Sequence, residues 1–87
     1  MDSIRKILKI AGVKRKKNFY ELGSGDGRVV IAAAKLGAKA YGIEQSLLRV
    51  LYSKWKSRQI DPKGLFCQFY HGNIFKRSYR DADIVYI

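Results

Sequence analysis

Hydrophobic and polar positions along the chain alternate between a helical and a strand periodicity. Ile4, Ile7, Leu8 and Ala11 recur at three-to-four spacing, with Asp2 or Ser3 placed as an N-cap and Gly12 placed to stop the helix. Asn18-Phe19-Tyr20-Glu21-Leu22 is a short β-prone stretch that ends in Gly23-Ser24-Gly25-Asp26-Gly27, a strand running into a glycine loop. Val29 to Ala34 is apolar almost all round, as a helix packed on a sheet requires, and Gly37 stands where a left-handed C-terminal residue is wanted. Lys39 to Glu44 predicts a second strand, with Tyr41 and Ile43 on one face and Ala40 and Gly42 on the other. Between Ser46 and Gln59, Leu47, Leu48, Leu51, Tyr52 and Trp55 form an apolar stripe among Arg49, Lys54, Lys56 and Arg58, which predicts a third helix. Asp61-Pro62-Lys63-Gly64 is a turn, Leu65 to His71 a third strand, and Ala82 to Ile87 the start of a fourth.

Strands alternating with helices imply right-handed crossovers and a parallel sheet. The expected fold is therefore α/β: a doubly wound, mainly parallel sheet of about four strands with helices on both faces. Residues 1–87 form one domain, with a leading helix in 1–12 and an α/β core in 18–87. No helix follows the fourth strand, so the sheet is expected to be partial and truncated there, with an open edge that favours self-association.

Composition narrows the setting. A chain of 87 residues buries only about 60–65% of its unfolded surface, so stability should be marginal. Cys67 is the single cysteine and His71 the single histidine, which excludes an internal disulfide and any zinc-ligand spacing. No metal is expected, and a reducing cytoplasm is the natural location. Met1 to Ile10 is broken by Arg5, Lys6 and Lys9, which fits neither a signal peptide nor a membrane span, so no membrane is expected as a partner. The formal charge of +11 favours polyanions as neighbours. The densest run, Lys14-Arg15-Lys16-Lys17, reads either as a solvated loop or as an RNA contact.

The glycine loop carries the chemistry. In an open α/β sheet, ligands sit beyond the carboxyl ends of the strands, where the first strand delivers this loop. Glycines there allow a tight turn and close backbone approach to a ligand, although a glycine loop by itself can also be a plain strand-to-helix turn. Glu44 closes the second strand 17 residues after Gly27, where its carboxylate can accept from both hydroxyls of a ribose, or simply be solvated. Loop, helix, strand and acid in that order point to a nucleoside. A dinucleotide fingerprint counted from Gly23 would need glycine where Arg28 stands, and a phosphate-binding P-loop would need a Gly-Lys-Ser/Thr triplet that the chain lacks. With Glu21 leading the pattern acid-x-G-x-G-x-G, a cofactor carrying an ammonium and a sulfonium fits better than a pyrophosphate.

Tyr20 to Arg28 resembles motif I of the class I S-adenosylmethionine-dependent methyltransferases, and the stretch running on to Glu44 continues the match, so the resemblance covers almost the whole chain. On Gly72-Asn73-Ile74-Phe75 it is most similar to small prokaryotic methyltransferases related to the non-SET lysine methyltransferases. The resemblance implies S-adenosylmethionine as cofactor, with Glu21, Gly23 and Gly25 at its amino-acid end, Ser24 also among the cofactor-binding residues, and Gly27 allowing close helix packing. It further implies Glu44 on the ribose hydroxyls, Asn73 on the exocyclic amine of adenine, and Ile74 and Phe75 over the ring, although either of the last two could simply be a core residue. Asn73 also reads as an ordinary turn residue, and Asp83, opening the fourth strand, is assigned no catalytic role. The reaction implied is direct displacement at the sulfonium methyl by an unidentified acceptor, protein lysine among the candidates, which depends on positioning and desolvation rather than on an enzyme nucleophile. The rival reading is a non-catalytic basic module that binds RNA through its charges and aromatic rings.

Overall fold

Four short strands pair in parallel, in the order β3-β2-β1-β4. The structure is a computed structural model that describes residues 2–87, with side chains from Ser3 onward. Its elements are α1 (Asp2–Ile10), β1 (Asn18–Leu22), α2 (Arg28–Lys35), β2 (Lys39–Glu44), α3 (Leu47–Ser57), β3 (Cys67–His71), a 3-10 turn (Ile74–Lys76) and β4 (Ile84–Tyr86). The N-cap role given to the Asp2 side chain lies outside the described side chains, and Ser3 is already inside α1.

The chain winds outward from β1 through β2 to β3 and then returns past β1 to β4. The expected doubly wound parallel sheet is therefore present, and the strand order reverses at β1, leaving a crevice beyond its carboxyl end. Gly12 and Gly37, at φ 91° and 94°, end α1 and α2 by the same device. The Val13 N–H donates to the Leu8 carbonyl at 3.0 Å and the Ala38 N–H to the Ala33 carbonyl at 3.4 Å, closing each helix with a left-handed glycine.

Strand alternation sorts the side chains into two faces. Phe19, Ala40, Cys67, Phe69 and Ile84 share the face on which α2 and α3 pack, and together with Leu8 of α1 and Val30 and Ala33 of α2 they make the core. The opposite face carries Tyr20, Tyr41 and Tyr70, with ring centroids 4.7 Å apart for the first pair and 6.4 Å for the second. Among the described residues no helix covers these rings, so the helices lie on one face of the sheet and not on both as expected, because the β3-to-β4 connection holds only the 3-10 turn. Instead Tyr79 packs edge-on against Tyr20 at 5.5 Å and the Arg77 guanidinium lies 4.0 Å from the Tyr70 ring.

Three local outcomes differ from the sequence pattern. β3 begins at Cys67 rather than Leu65, because the buried Asp61 carboxylate accepts from the N–H groups of Leu65, Phe66 and Cys67 at 3.0, 2.9 and 2.8 Å and holds the first two as part of the turn. Burial alone would raise Asp61, yet these three donors outweigh it and keep the carboxyl below its ordinary range. β4 shortens to Ile84–Tyr86 because Ala82 turns back to the Tyr79 carbonyl at 3.0 Å. In α3 the apolar stripe that marks the helix is not the face it buries: Val50, Ser53 and Ser57 point inward while Leu48 and Trp55 are exposed. Phe69 already fills the space between sheet and helix, so the helix approaches on its small residues. A Cβ at Gly27 would come within 2.9 Å of the Phe69 ring and 3.0 Å of the Ser53 hydroxyl.

Candidate cofactor site

β1 ends in Leu22, and the next residues turn sharply over the neighbouring strand, with the N–H groups of Gly23 and Ser24 both donating to the Ile43 carbonyl, at 2.8 and 3.1 Å. Gly23, Gly25 and Gly27 all have positive φ, at 76°, 59° and 82°, conformations that side-chain-bearing residues adopt at a cost. The loop then enters α2 directly, and its residues rim a cavity of about 380 Å³ lined by Glu21, Ser24, Gly25, Asp26, Arg28, Val29 and Arg49.

Glu21 is 7% exposed, and its Oε1 has no hydrogen-bond partner. Burial, reinforced by the charges of Asp26 and Glu44, pushes its carboxyl up to about 7. The Ser24 hydroxyl, also buried, is likewise unpartnered. Two orphaned buried polar groups facing one cavity at the switch point of a parallel sheet are what a polar, cationic ligand would satisfy. They fit the ammonium-bearing end of the nucleoside cofactor that the sequence pattern suggests.

Glu44 does more than stand at the end of β2. Its Oε1 accepts from the Gly25 N–H at 2.9 Å and its Oε2 from the Ser46 N–H at 2.9 Å, so it braces the glycine loop against the start of α3. Burial works to raise its pKa, but those donors and the charge of Arg49 prevail and hold it below the ordinary carboxylate range. Each carboxylate oxygen has a second lone pair, so the brace leaves acceptor capacity for two hydroxyls.

The two ends of the predicted site stand differently. Glu21, Ser24 and Gly25 line the cavity and Glu44 bonds to its wall. Gly27 lies behind the loop against Phe69 and Ser53. Gly72 donates to the Glu44 carbonyl at 3.0 Å, which sets Asn73 close to the same strand end, but Asn73 and Ile74 do not line this cavity. The Asn73 side chain caps the 3-10 turn, accepting from the Phe75 N–H at 2.8 Å, and Phe75 is 87% exposed, so it is not a core residue. Asp83 sits at the other end of the sheet, accepting from the Asn18 N–H at 2.7 Å. Sequence reasoning did not single out Arg49 or Asp26 as cavity-lining residues. The only signal for Arg49 was its position in the first turn of the helix that follows Glu44.

Lys14 to Lys17 occupy the turn that enters β1, at the amino end of the sheet, opposite the loop. Cys67 is buried and its thiol is pushed up to about 11 by burial and then by Asp61, which leaves it inert as a nucleophile. Among the described residues no group of His, Cys, Asp and Glu is placed to hold a metal ion, and no helix is long and apolar enough to cross a membrane.

No protein-family model matches the chain. It is 40% identical over 62 residues to a protein from Caenorhabditis elegans that is named as the lysine N-methyltransferase of the ATP synthase C-subunit. That match covers 71% of this chain and 32% of the nematode protein. The human protein of the same name is 36% identical over 73 residues, covering 84% of this chain and 31% of its own length. The chain therefore spans about a third of the curated relatives it matches. Among solved structures, an RNA methyltransferase from Salinibacter ruber in complex with S-adenosylhomocysteine superposes with a TM-score of 0.88 at 30% identity, over 97% of this chain and 55% of that one. A methyltransferase from Thiobacillus denitrificans, also with S-adenosylhomocysteine, shares the fold at a TM-score of 0.77 and 23% identity, over 98% of this chain and 35% of that one. Fold, loop and relatives agree: over most of its length the chain is similar to class I, Rossmann-like S-adenosylmethionine-dependent methyltransferases and has the fold of their cofactor-binding half.

Proposed function

We propose that this chain binds S-adenosylmethionine at the Gly23–Gly27 loop and serves transfer of its methyl group to an amine acceptor, protein lysine being the acceptor that the names of the curated relatives suggest. The observation that carries the reading is the buried, unpartnered Glu21 carboxylate beside a loop of left-handed glycines. The cofactor supplies an electrophilic methyl on a sulfonium.

Glu21 offers its free oxygen to the cationic end of the ligand, and a nearby cation favours its ionised form. Ser24 adds a hydroxyl, and Gly23 and Gly25 admit the ligand close to the backbone. Glu44 uses its remaining lone pairs for the ribose hydroxyls while it keeps the loop in place. Asn73 and Ile74 serve the adenine end, from the segment that begins beside the Glu44 carbonyl. Displacement at the methyl asks the protein to position an unprotonated acceptor in line and to exclude water, not to supply a nucleophile.

Calorimetric titration with S-adenosylmethionine and S-adenosylhomocysteine, on the natural chain and on Glu44→Ala, tests the reading. Saturable binding that the substitution abolishes supports it. No binding by a chain whose circular dichroism shows it folded sinks it.

A second reading, an RNA acceptor, draws on the Salinibacter RNA methyltransferase and on the Lys14-Arg15-Lys16-Lys17 run. That run lies at the far end of the sheet from the loop, where it could hold RNA but hardly present it for transfer. RNA affinity that falls steeply with salt yet ignores Glu44→Ala would favour a binding role separate from the cofactor site.

A further inference from the structure

The outward face of α3 is the largest unexplained feature of the surface. At about 100° per residue, Val50, Ser53 and Ser57 fall on one side of the helix, and the opposite side has Leu48 and Trp55 at its centre with Leu51 and Tyr52 beside them. Leu48 is 79% exposed, Trp55 64%, Leu51 51% and Tyr52 49%. One border of this stripe carries Arg49 and Lys56 and the other Lys54 and Arg58, while no acidic residue occurs between Glu44 and Asp61. Ile60, in the turn just after the helix, is itself half exposed.

We propose that α3 is a membrane-surface binding element, which lies in the interface of an anionic lipid bilayer with Leu48, Leu51, Tyr52 and Trp55 among the upper acyl chains and its four cations on the headgroup phosphates. The shape favours this occupant. A single helix presents a ridge rather than a groove, so it suits a deformable surface better than a small ligand. An apolar centre bordered on both sides by cations, with a tryptophan and a tyrosine in the stripe, is the distribution of an interfacial amphipathic helix. The charge complements an anionic bilayer, and the net +11 of the chain adds to the attraction. A second copy of the chain would bring like charges together at the same face, and RNA would meet leucines at the centre of the stripe, where it needs cations. Lying in an interface is a different device from spanning, so the lack of a spanning helix among the described residues does not bear on it. The proposal does not depend on the methyltransferase reading. Because the N-terminus of α3 adjoins the Glu44 brace and Arg49 lines the cavity, the bound orientation would set the cofactor site beside the lipid surface.

Trp55 is the only tryptophan and reports the contact directly. The natural chain is titrated with phosphatidylcholine vesicles, with and without about a third phosphatidylglycerol, and with brominated lipids as quenchers. The expected result is a blue shift and quenching of Trp55 on the anionic vesicles, with affinity at least ten-fold lower on the neutral ones. Leu48→Glu should weaken partitioning by ten-fold or more while leaving the urea midpoint unchanged, since Leu48 touches little in the fold. Adhesion without quenching, or adhesion indifferent to Leu48→Glu, would overturn the proposal, as it would mean charge attraction by some other surface. A blue shift that grows with protein concentration without lipid, or one produced by single-stranded RNA alone, would overturn it in favour of self-association or RNA binding.

Discussion

Replacing Glu21 by Gln should make the protein more stable and a worse binder. The folded carboxyl sits at about 7 against 4.5 for the unfolded chain. Between those values the folded state holds a proton that the unfolded state gives up, so stability falls as pH rises and this contribution is lost above about 7. At about 1.4 kcal/mol per pH unit the interval amounts to about 3 kcal/mol, and water in the open cavity screens Asp26 and Glu44 enough to make about 2 kcal/mol the expected value. Gln copies the protonated acid nearly atom for atom, so the two proteins should match below pH 4.5. At pH 8 the variant should exceed the natural chain by about 2 kcal/mol, or about 8–16 °C in Tm for a domain of this size. Urea melts followed by circular dichroism at pH 4, 6 and 8 measure the difference. Titration of both proteins with S-adenosylmethionine at pH 8 should show at least ten-fold weaker binding by the variant, because an ionised Glu21 is what the cationic ligand would meet. A stability difference that is the same at all three pH values, or a variant less stable at pH 8, would refute the burial account of this side chain.

Gly42→Ala should reduce cofactor binding more than stability, since its Cβ would stand 2.8 Å from both Ser24 side-chain atoms and 2.9 Å from the Phe69 ring, displacing the loop; calorimetry set beside a urea melt separates the two effects, which overpacking puts at about 1–3 kcal/mol for stability. Asp61→Ala should cost about 2–3 kcal/mol at pH 7 by leaving three N–H groups of the turn without their acceptor. Because Asp61 lies below its ordinary range when folded, its contribution is present above the unfolded value of 3.8 and lost as pH falls through the folded one, so the gap between natural and variant midpoints should close in acid.

Much of the fold was legible because its signals are local. The switch from two-residue to three-to-four-residue spacing at the glycine loop, and back again after Gly37, marks β1, α2 and β2 without reference to anything distant. Glu44 could be placed at a strand end by counting. That its carboxylate would hold the Gly25 N–H could not, since the bond joins residues that only the parallel pairing of β1 and β2 brings together. Asp61 read as a turn residue, and nothing in the local pattern tells a solvated turn acid from one that collects three backbone donors.

The sequence by itself determined the order of elements, the parallel winding and the glycine loop, because each follows from backbone conformations and short spacings. The tertiary structure decided which face of α3 is buried, that the Glu21 carboxylate is buried without a hydrogen-bond partner, and where Asn73 stands. Those outcomes depend on how closely helix and sheet approach. Phe69 between Gly27, Gly42 and Ser53 sets that distance, and no periodicity within a single element carries it.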